Sequence, residues 1–324
     1  MTEEVLHNLF RIEIPLPGSP LKSLNSYVIK GPERNLIVDT GLNREECMKA
    51  MQTGLRELGV DLDKTDFFIT HLHADHFGLV SRLLTDTSTI YFNRPDTEAM
   101  KTRGGWESMI DYAGMNGFPE HELRAALHSH PGYRYGLERV PEVSVLEDGD
   151  TISIGDYRFK CVQTPGHTRG HTCLYEGAKK ILVCGDHILN DITPNIQCWS
   201  DQENPLKSYL ASLNKVYGLE VDLALPGHRR LFRNYKERIK ELQRHHQNRA
   251  DEVLLILKEG SKHAFQVASE MTWDIEYESW EQFPVAQKWF ATGEAIAHLR
   301  YVEEKGMVFR VAGEKMITYS LNHD

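Results

Sequence analysis

Apolar residues along this chain follow two rhythms, a period of two in short blocks and a period near 3.6 in longer ones. Phe10–Ile14 and Ser26–Ile29 read as strands, and Asn35-Leu-Ile-Val-Asp-Thr-Gly41 as a buried strand that runs into a turn. Helical spacing takes over from Glu45 to Leu58 and stops at Gly59, after which Asp66-Phe-Phe-Ile-Thr70 is again a short apolar strand. The polar run His71 to His76 follows directly as a loop. From about residue 93 to 135 the pattern is one of short helices broken at Gly114, Gly117 and Pro119, which predicts a helical insertion or lid.

A second β-rich block mirrors the first, with strands predicted at Val143–Leu146, Thr151–Ile154, Tyr157–Gln163, Thr172–Tyr175 and Ile181–Cys184. A helix over Pro205–Tyr217 and a strand Asp222–Leu225 lead into Pro226-Gly-His-Arg229. After Phe232 the chain reads as a long helix through Lys258, a short segment near His263–Met271, a helix from Pro284 to Glu304, and a hairpin across Ala312-Gly-Glu314. These blocks divide the chain into a catalytic α/β domain, residues 1–231, and an α+β domain of winged-helix type, residues 232–324.

Composition narrows the class. With 324 residues, 40% hydrophobic and 26% charged, the chain has an ordinary globular balance. No apolar run reaches the roughly 20 residues that span a bilayer. Acids stand in MTEEVLHNLFRIEIP where a secretory signal carries positive charge, so a cytoplasmic location is expected. The five cysteines are odd in number and form no Cys-x-x-Cys pair, which points to buried apolar residues rather than disulfides or thiolate ligands. A net charge of −10 weighs against an extended phosphate-binding surface.

The chemistry lies in histidines and aspartates placed after strands. His71-Leu-His-Ala-Asp-His76 offers four ligands in six residues, and a loop of this spacing can present His71 and His73 to one ion while Asp75 and His76 turn to a second. His167 in Thr164-Pro-Gly-His-Thr-Arg-Gly-His171, Asp186 in Val183-Cys-Gly-Asp186 and His228 in Leu225-Pro-Gly-His228 each follow an apolar strand and a glycine. Asp75 is also placed to orient a nucleophile or accept its proton. His171 is either a support for a ligand or a structural histidine.

Over roughly residues 10–230 these motifs resemble the metallo-β-lactamase superfamily. The resemblance implies an αββα sandwich in which His71, His73 and His167 hold a first metal ion, Asp75, His76 and His228 a second, and Asp186 bridges them. It also implies that Asp39, in the Val38-Asp-Thr-Gly41 turn, orients a ligand imidazole. Zinc is the ion of first choice, and the same donors suit iron or manganese. β-Lactamases of this fold lack a bridging carboxylate like Asp186, and flavodiiron proteins carry Glu where His73 stands, so neither activity is expected.

The 164–171 stretch resembles glyoxalase II-type thioesterases, and the C-terminal region resembles the β-lactamase-like protein 2 branch, which includes thioester hydrolases and single-strand-specific ribonucleases. A metal-dependent hydrolase of a small ester or thioester is the leading expectation. A phosphodiesterase is the alternative, and mono-iron persulfide oxidation a minor one. Trp106, Met109, Tyr112, Met115 and Phe118 form either an apolar lid over a substrate or the core of the insertion. The helix 284–304 sets Lys288, Arg300 and Lys305 against Glu294, Glu303 and Glu304, which is no basic reading head for nucleic acid. Its neighbours Trp280, Phe283, Trp289 and Phe290 predict packing against the catalytic domain or a second subunit, leaving a homodimer open.

Overall fold

The computed structural model describes residues 2–102, 105–135, 141–274 and 277–322. The chain begins with the antiparallel strands β1 (Thr2–Leu6), β2 (Leu9–Pro15), β3 (Ser23–Lys30) and β4 (Asn35–Val38). Helix α1 (Glu45–Glu57) then crosses over to β5 (Thr65–Phe68), which runs parallel to β4. α1 carries two acids in its first turn, where they complement the helix dipole, and buries Cys47, Met48, Met51 and Leu55 on one face. The short helices α2 (Ala74–Phe77) and α3 (Val80–Leu83) lead to β6 (Ile90–Asn93), which is parallel to β5. The insertion follows as α4 (Arg94–Lys101), α5 (Gly105–Met115), α6 (Glu120–Ser129) and α7 (Pro131–Tyr135), and β7 (Ser144–Leu146) closes the seven-stranded sheet.

The second sheet has the order β12-β11-β10-β9-β8, built from β8 (Thr151–Ile154), β9 (Tyr157–Gln163), β10 (Thr172–Glu176), β11 (Ile181–Gly185) and, after helix α8 (Pro205–Tyr217), β12 (Leu223–Pro226). α8 starts at Asn204, whose side chain accepts the Lys207 N–H, with Pro205 at its first position. The two sheets face each other through Leu9, Tyr27, Ile29, Val38, Phe68, Phe159, Leu174, Val183 and Leu225. The outer face of the first sheet packs on α1 through Ile12, Ile37, Met51, Leu55 and Phe67. This is the αββα sandwich that the sequence predicts.

The C-terminal part comprises α9 (Tyr235–Leu257), α10 (Ala264–Glu270), α11 (Val285–Glu304) and the hairpin β13 (Val308–Ala312) and β14 (Ile317–Leu321). One apolar cluster runs from Leu182 and Cys184 through Leu213 of α8 to Ile239, Val253, Ile296 and Ile317, so α9, α11 and the hairpin share the core that covers the second sheet. A second cluster joins Phe118, Leu123 and Ala126 of the insertion to Trp289 of α11. The aromatic face predicted for the 284–304 helix therefore packs within the chain. Of the insertion residues weighed as a lid, Tyr112 and Phe118 are buried core side chains. All five cysteines are buried and free. Among the described residues no helix is long and apolar enough to cross a membrane.

Candidate metal centre

Parallel strands bring their C-terminal ends to one edge, and that geometry gathers the site. Asp39 follows β4, and His71 and His73 follow β5; Asp186 follows β11 and His228 follows β12. The His71–His76 segment is predicted as a loop; the structure winds Ala74–Phe77 into one helical turn, with His73 at its N-cap position. His167 lies in the turn between β9 and β10.

The seven residues singled out in the sequence come together. His71, His73 and His167 form one group of donor atoms, Asp75, His76 and His228 a second, and His71, His76 and Asp186 a third, the atoms of each group lying within 4.8 Å of one another. Asp186 touches both sides: its Oδ2 is 3.6 Å from His167 Nε2 and 3.4 Å from His228 Nε2, and its Oδ1 is 3.5 Å from His76 Nε2. Asp75 Oδ2 is 3.4 Å from His228 Nε2.

Four of the imidazoles are tied by Nδ1 and present Nε2. His76 Nδ1 donates to Asp39 Oδ2 at 2.7 Å, and His167 and His228 donate to the carbonyls of Asn195 (2.9 Å) and Ser23 (2.7 Å). Thr70 Oγ1 donates to Asp39 and therefore accepts from His71 Nδ1, at 2.9 Å. Fixing the proton on one ring nitrogen leaves the lone pair of the other aimed inward. His73 is the exception; its Nδ1 faces His167 Nε2 at 3.0 Å. The Nε2 atoms of His71, His76 and His228 and Oδ1 of Asp186 are buried without a hydrogen-bond partner. Each orphan of this kind costs about 1–3 kcal/mol, a cost that a bound cation removes, so the donor set fits metal ions.

The electrostatics agree with that fit. Burial holds His71 well below the usual imidazole range and His73 at about 3, with neighbouring imidazoles adding to the effect, so both stay neutral. Burial also opposes charge on His76 and His228, but carboxylates outweigh it: Asp39 and Asp186 push His76 well up, and Asp186 and Asp75 push His228 to about 10. Burial alone would raise Asp75 and Asp186, yet the facing imidazoles hold both low, Asp186 well below the usual carboxylate range. The pocket thus holds ionised carboxylates, and with no cation beside them His76 and His228 take up protons in its place.

Asp39, at φ +59°, uses both carboxylate oxygens, Oδ1 accepting the Thr70 N–H at 2.8 Å. His171 accepts the backbone N–H of Asp186 on Nε2 (3.1 Å) and faces Thr164 Oγ1 with Nδ1 (2.8 Å), so it supports the Asp186 backbone. Gly227 is required here, since a Cβ at that position meets Asp186 Oδ1 at 2.5 Å and His76 Cε1 at 2.8 Å.

Three contributors escaped the sequence reading. Asp96, buried at the start of α4, accepts the N–H groups of Leu72 (3.0 Å) and Gly170 (2.9 Å) and the Thr168 hydroxyl (2.8 Å), lashing the His71–His73 loop to the His167 turn. Its only sequence signal is the Asn93 cap three residues earlier. Asn195 lies in a stretch without regular structure and gives no signal. His130, between α6 and α7, packs its ring 5.0 Å from Trp106 and 5.3 Å from Phe290. Burial pushes His130 down to about 4 while Asp75 pulls it the other way, and α2, which carries Asp75, packs on α7.

Residues 21–228 match the model of the metallo-beta-lactamase superfamily, and the chain belongs to that superfamily. It is similar to the acyl-coenzyme A thioesterase MBLAC2 of Homo sapiens, 24% identical over 217 residues that cover 63% of this chain and 72% of the relative. It is also similar to the atrochrysone carboxyl ACP thioesterase of Aspergillus fumigatus, 24% identical over 76% of this chain and 65% of that protein. Its fold is that of a solved metallo-beta-lactamase family protein from Thermus thermophilus, with a TM-score of 0.80 at 26% identity over 98% of this chain and 100% of the other.

Proposed function

We propose that the chain is a dinuclear metal-dependent hydrolase of small acyl thioesters. The observation that carries the dinuclear reading is Asp186, whose carboxylate reaches imidazoles of both donor groups. His71, His73 and His167 would hold one ion and Asp75, His76 and His228 the other, with Asp186 available to both; zinc is the preferred ion. Two such ions, when bound, supply Lewis acidity at the scissile carbonyl and a water whose pKa is lowered towards 7.

The protein's own residues do the rest. Asp75, less covered than Asp186, is placed to accept a proton from the nucleophile. Asp39 and Thr70 keep the imidazoles of His76 and His71 in one tautomer. We assign the acyl group to the aromatic cluster of Trp106, His130 and Phe290, whose rings pack on one another. The thioester assignment is supported by the two similar thioesterases.

Several contacts weigh against a nucleic-acid substrate. Lys288 of α11 is buried and paired with Glu122 at 3.2 Å, Arg300 pairs with Glu303, and Arg230 pairs with Asp191 at 3.0 Å. We read residues 232–324 as a winged-helix-like domain acting as scaffold. The test is turnover by metal-quantified protein on panels of acyl thioesters, lactones and single-stranded RNA, with Asp75→Ala as control. Metal-dependent thioester cleavage lost in the control supports the reading; RNA cleavage alone overturns it.

A further inference from the structure

Residues 190–200 cross beside the metal centre without regular structure, yet they are held to α11 at three points. Asn195 Nδ2 donates to Glu294 Oε2 at 2.8 Å. The Cys198 N–H donates to the Gly293 carbonyl at 3.0 Å. The Trp199 ring stacks on Trp289 with centroids 4.1 Å apart and planes 24° from parallel. Trp289 and Gly293 lie one turn apart on the same helical face, and a Cβ at Gly293 meets the Trp199 ring at 2.8 Å, so only glycine lets the segment lie this close.

The backbone carbonyl of Asn195 is the acceptor that fixes Nδ1 of His167. Glu294, which is buried, is itself set by Arg249 of α9, whose Nε lies 3.7 Å from Glu294 Oε1. Arg249 in turn donates to Glu252 and to the Thr272 carbonyl, both at 2.6 Å, and lies over the Trp273 ring. A continuous run of contacts thus links the C-terminal helices to one imidazole of the site.

We propose that Glu294 is a positioning residue for the metal centre: by holding Asn195 it aims the His167 imidazole, so α11 completes the ligand set rather than reading substrate. The inference rests on the metal-hydrolase reading above. The direct partner of a ligand histidine typically contributes about 10–100-fold to metal affinity, and Glu294 acts one contact further out, through Asn195.

The test compares zinc dissociation constants, by chelator competition, and melting temperatures for the full-length protein and three variants. Glu294→Leu removes the acceptor for Asn195 and is expected to weaken zinc binding about 10-fold, the low end of the range for a direct partner. Glu294→Gln keeps an acceptor oxygen and restores the wild-type constant. Leu299→Ala, buried on the same helix, lowers the melting temperature and leaves the constant unchanged. Glu294→Leu binding zinc like wild type, or Leu299→Ala losing as much affinity as Glu294→Leu, overturns the proposal. Should wild-type protein itself take up no zinc, iron or manganese, the metal-hydrolase reading fails and takes this inference with it.

Discussion

Asp39 Oδ2 lies 2.7 Å from Nδ1 of His76, and the same oxygen accepts a hydrogen bond from the Thr70 hydroxyl, which faces His71. One carboxylate therefore sets two imidazoles that share the group with Asp186 and that each belong to one further donor group. Replacing Asp39 by Ala frees both rings. The expected outcome is a 10–100-fold loss of metal affinity in a protein that still folds. Chelator competition measures it, and an unchanged constant contradicts the role.

Gly227 makes a sharper steric prediction. A methyl group there lands 2.5 Å from Asp186 Oδ1, so Gly227→Ala must displace the carboxylate or the strand end. Overpacking of this kind costs about 1–3 kcal/mol. Metal content and chemical denaturation together read the outcome: stability falls by that amount and bound metal falls with it.

The buried pair His246 and His298, 3.2 Å apart between ring nitrogens, predicts acid sensitivity away from the site. Burial holds His246 well below the ordinary value of 6.5 and His298 at about 3. Both are neutral when folded but take up a proton when unfolded below pH 6.5, so their contribution is present above that pH and is lost as pH falls towards the folded values. Arg249 adds to the depression of both. Glu294, raised by burial, acts in the opposite sense: its contribution is present below its ordinary value of 4.5 and is lost as pH rises through its raised one, which partly offsets the histidines. From pH 7 to pH 5 the loss is about 2 kcal/mol for His298, and His246 adds to it in the same direction. Urea denaturation at the two pH values checks it, and His298→Gln should show a shallower dependence.

Much of this molecule was legible in the order of residues, and the parts that were not share a physical cause. The helix Pro205–Tyr217 and the strands Thr151–Ile154 and Tyr157–Gln163 fall where their periodicity placed them, because each has one face against a core. Thr2–Leu6 and Ile90–Asn93 were missed: the first is an edge strand with exposed positions, and the second is only four residues long before an Asn cap. The candidate donors that the structure gathers were visible because they follow strands and glycines at short range. Asp96, Asn195 and His130 were not, since each acts through contacts 24 or more residues away or across packed elements, and local spacing carries no trace of such pairing. The lid reading failed for Tyr112 and Phe118 for a related reason, as an apolar helix face looks the same whether it meets substrate or Trp289.

The most direct test of the central claim is a titration of metal-free protein with zinc while thioester hydrolysis is followed. With His71, His73 and His167 on one side of Asp186, and Asp75, His76 and His228 on the other, the rate is predicted to climb until two equivalents are bound and to vanish on chelation. A rate that is complete at one equivalent, or thioester cleavage indifferent to metal, contradicts the dinuclear account.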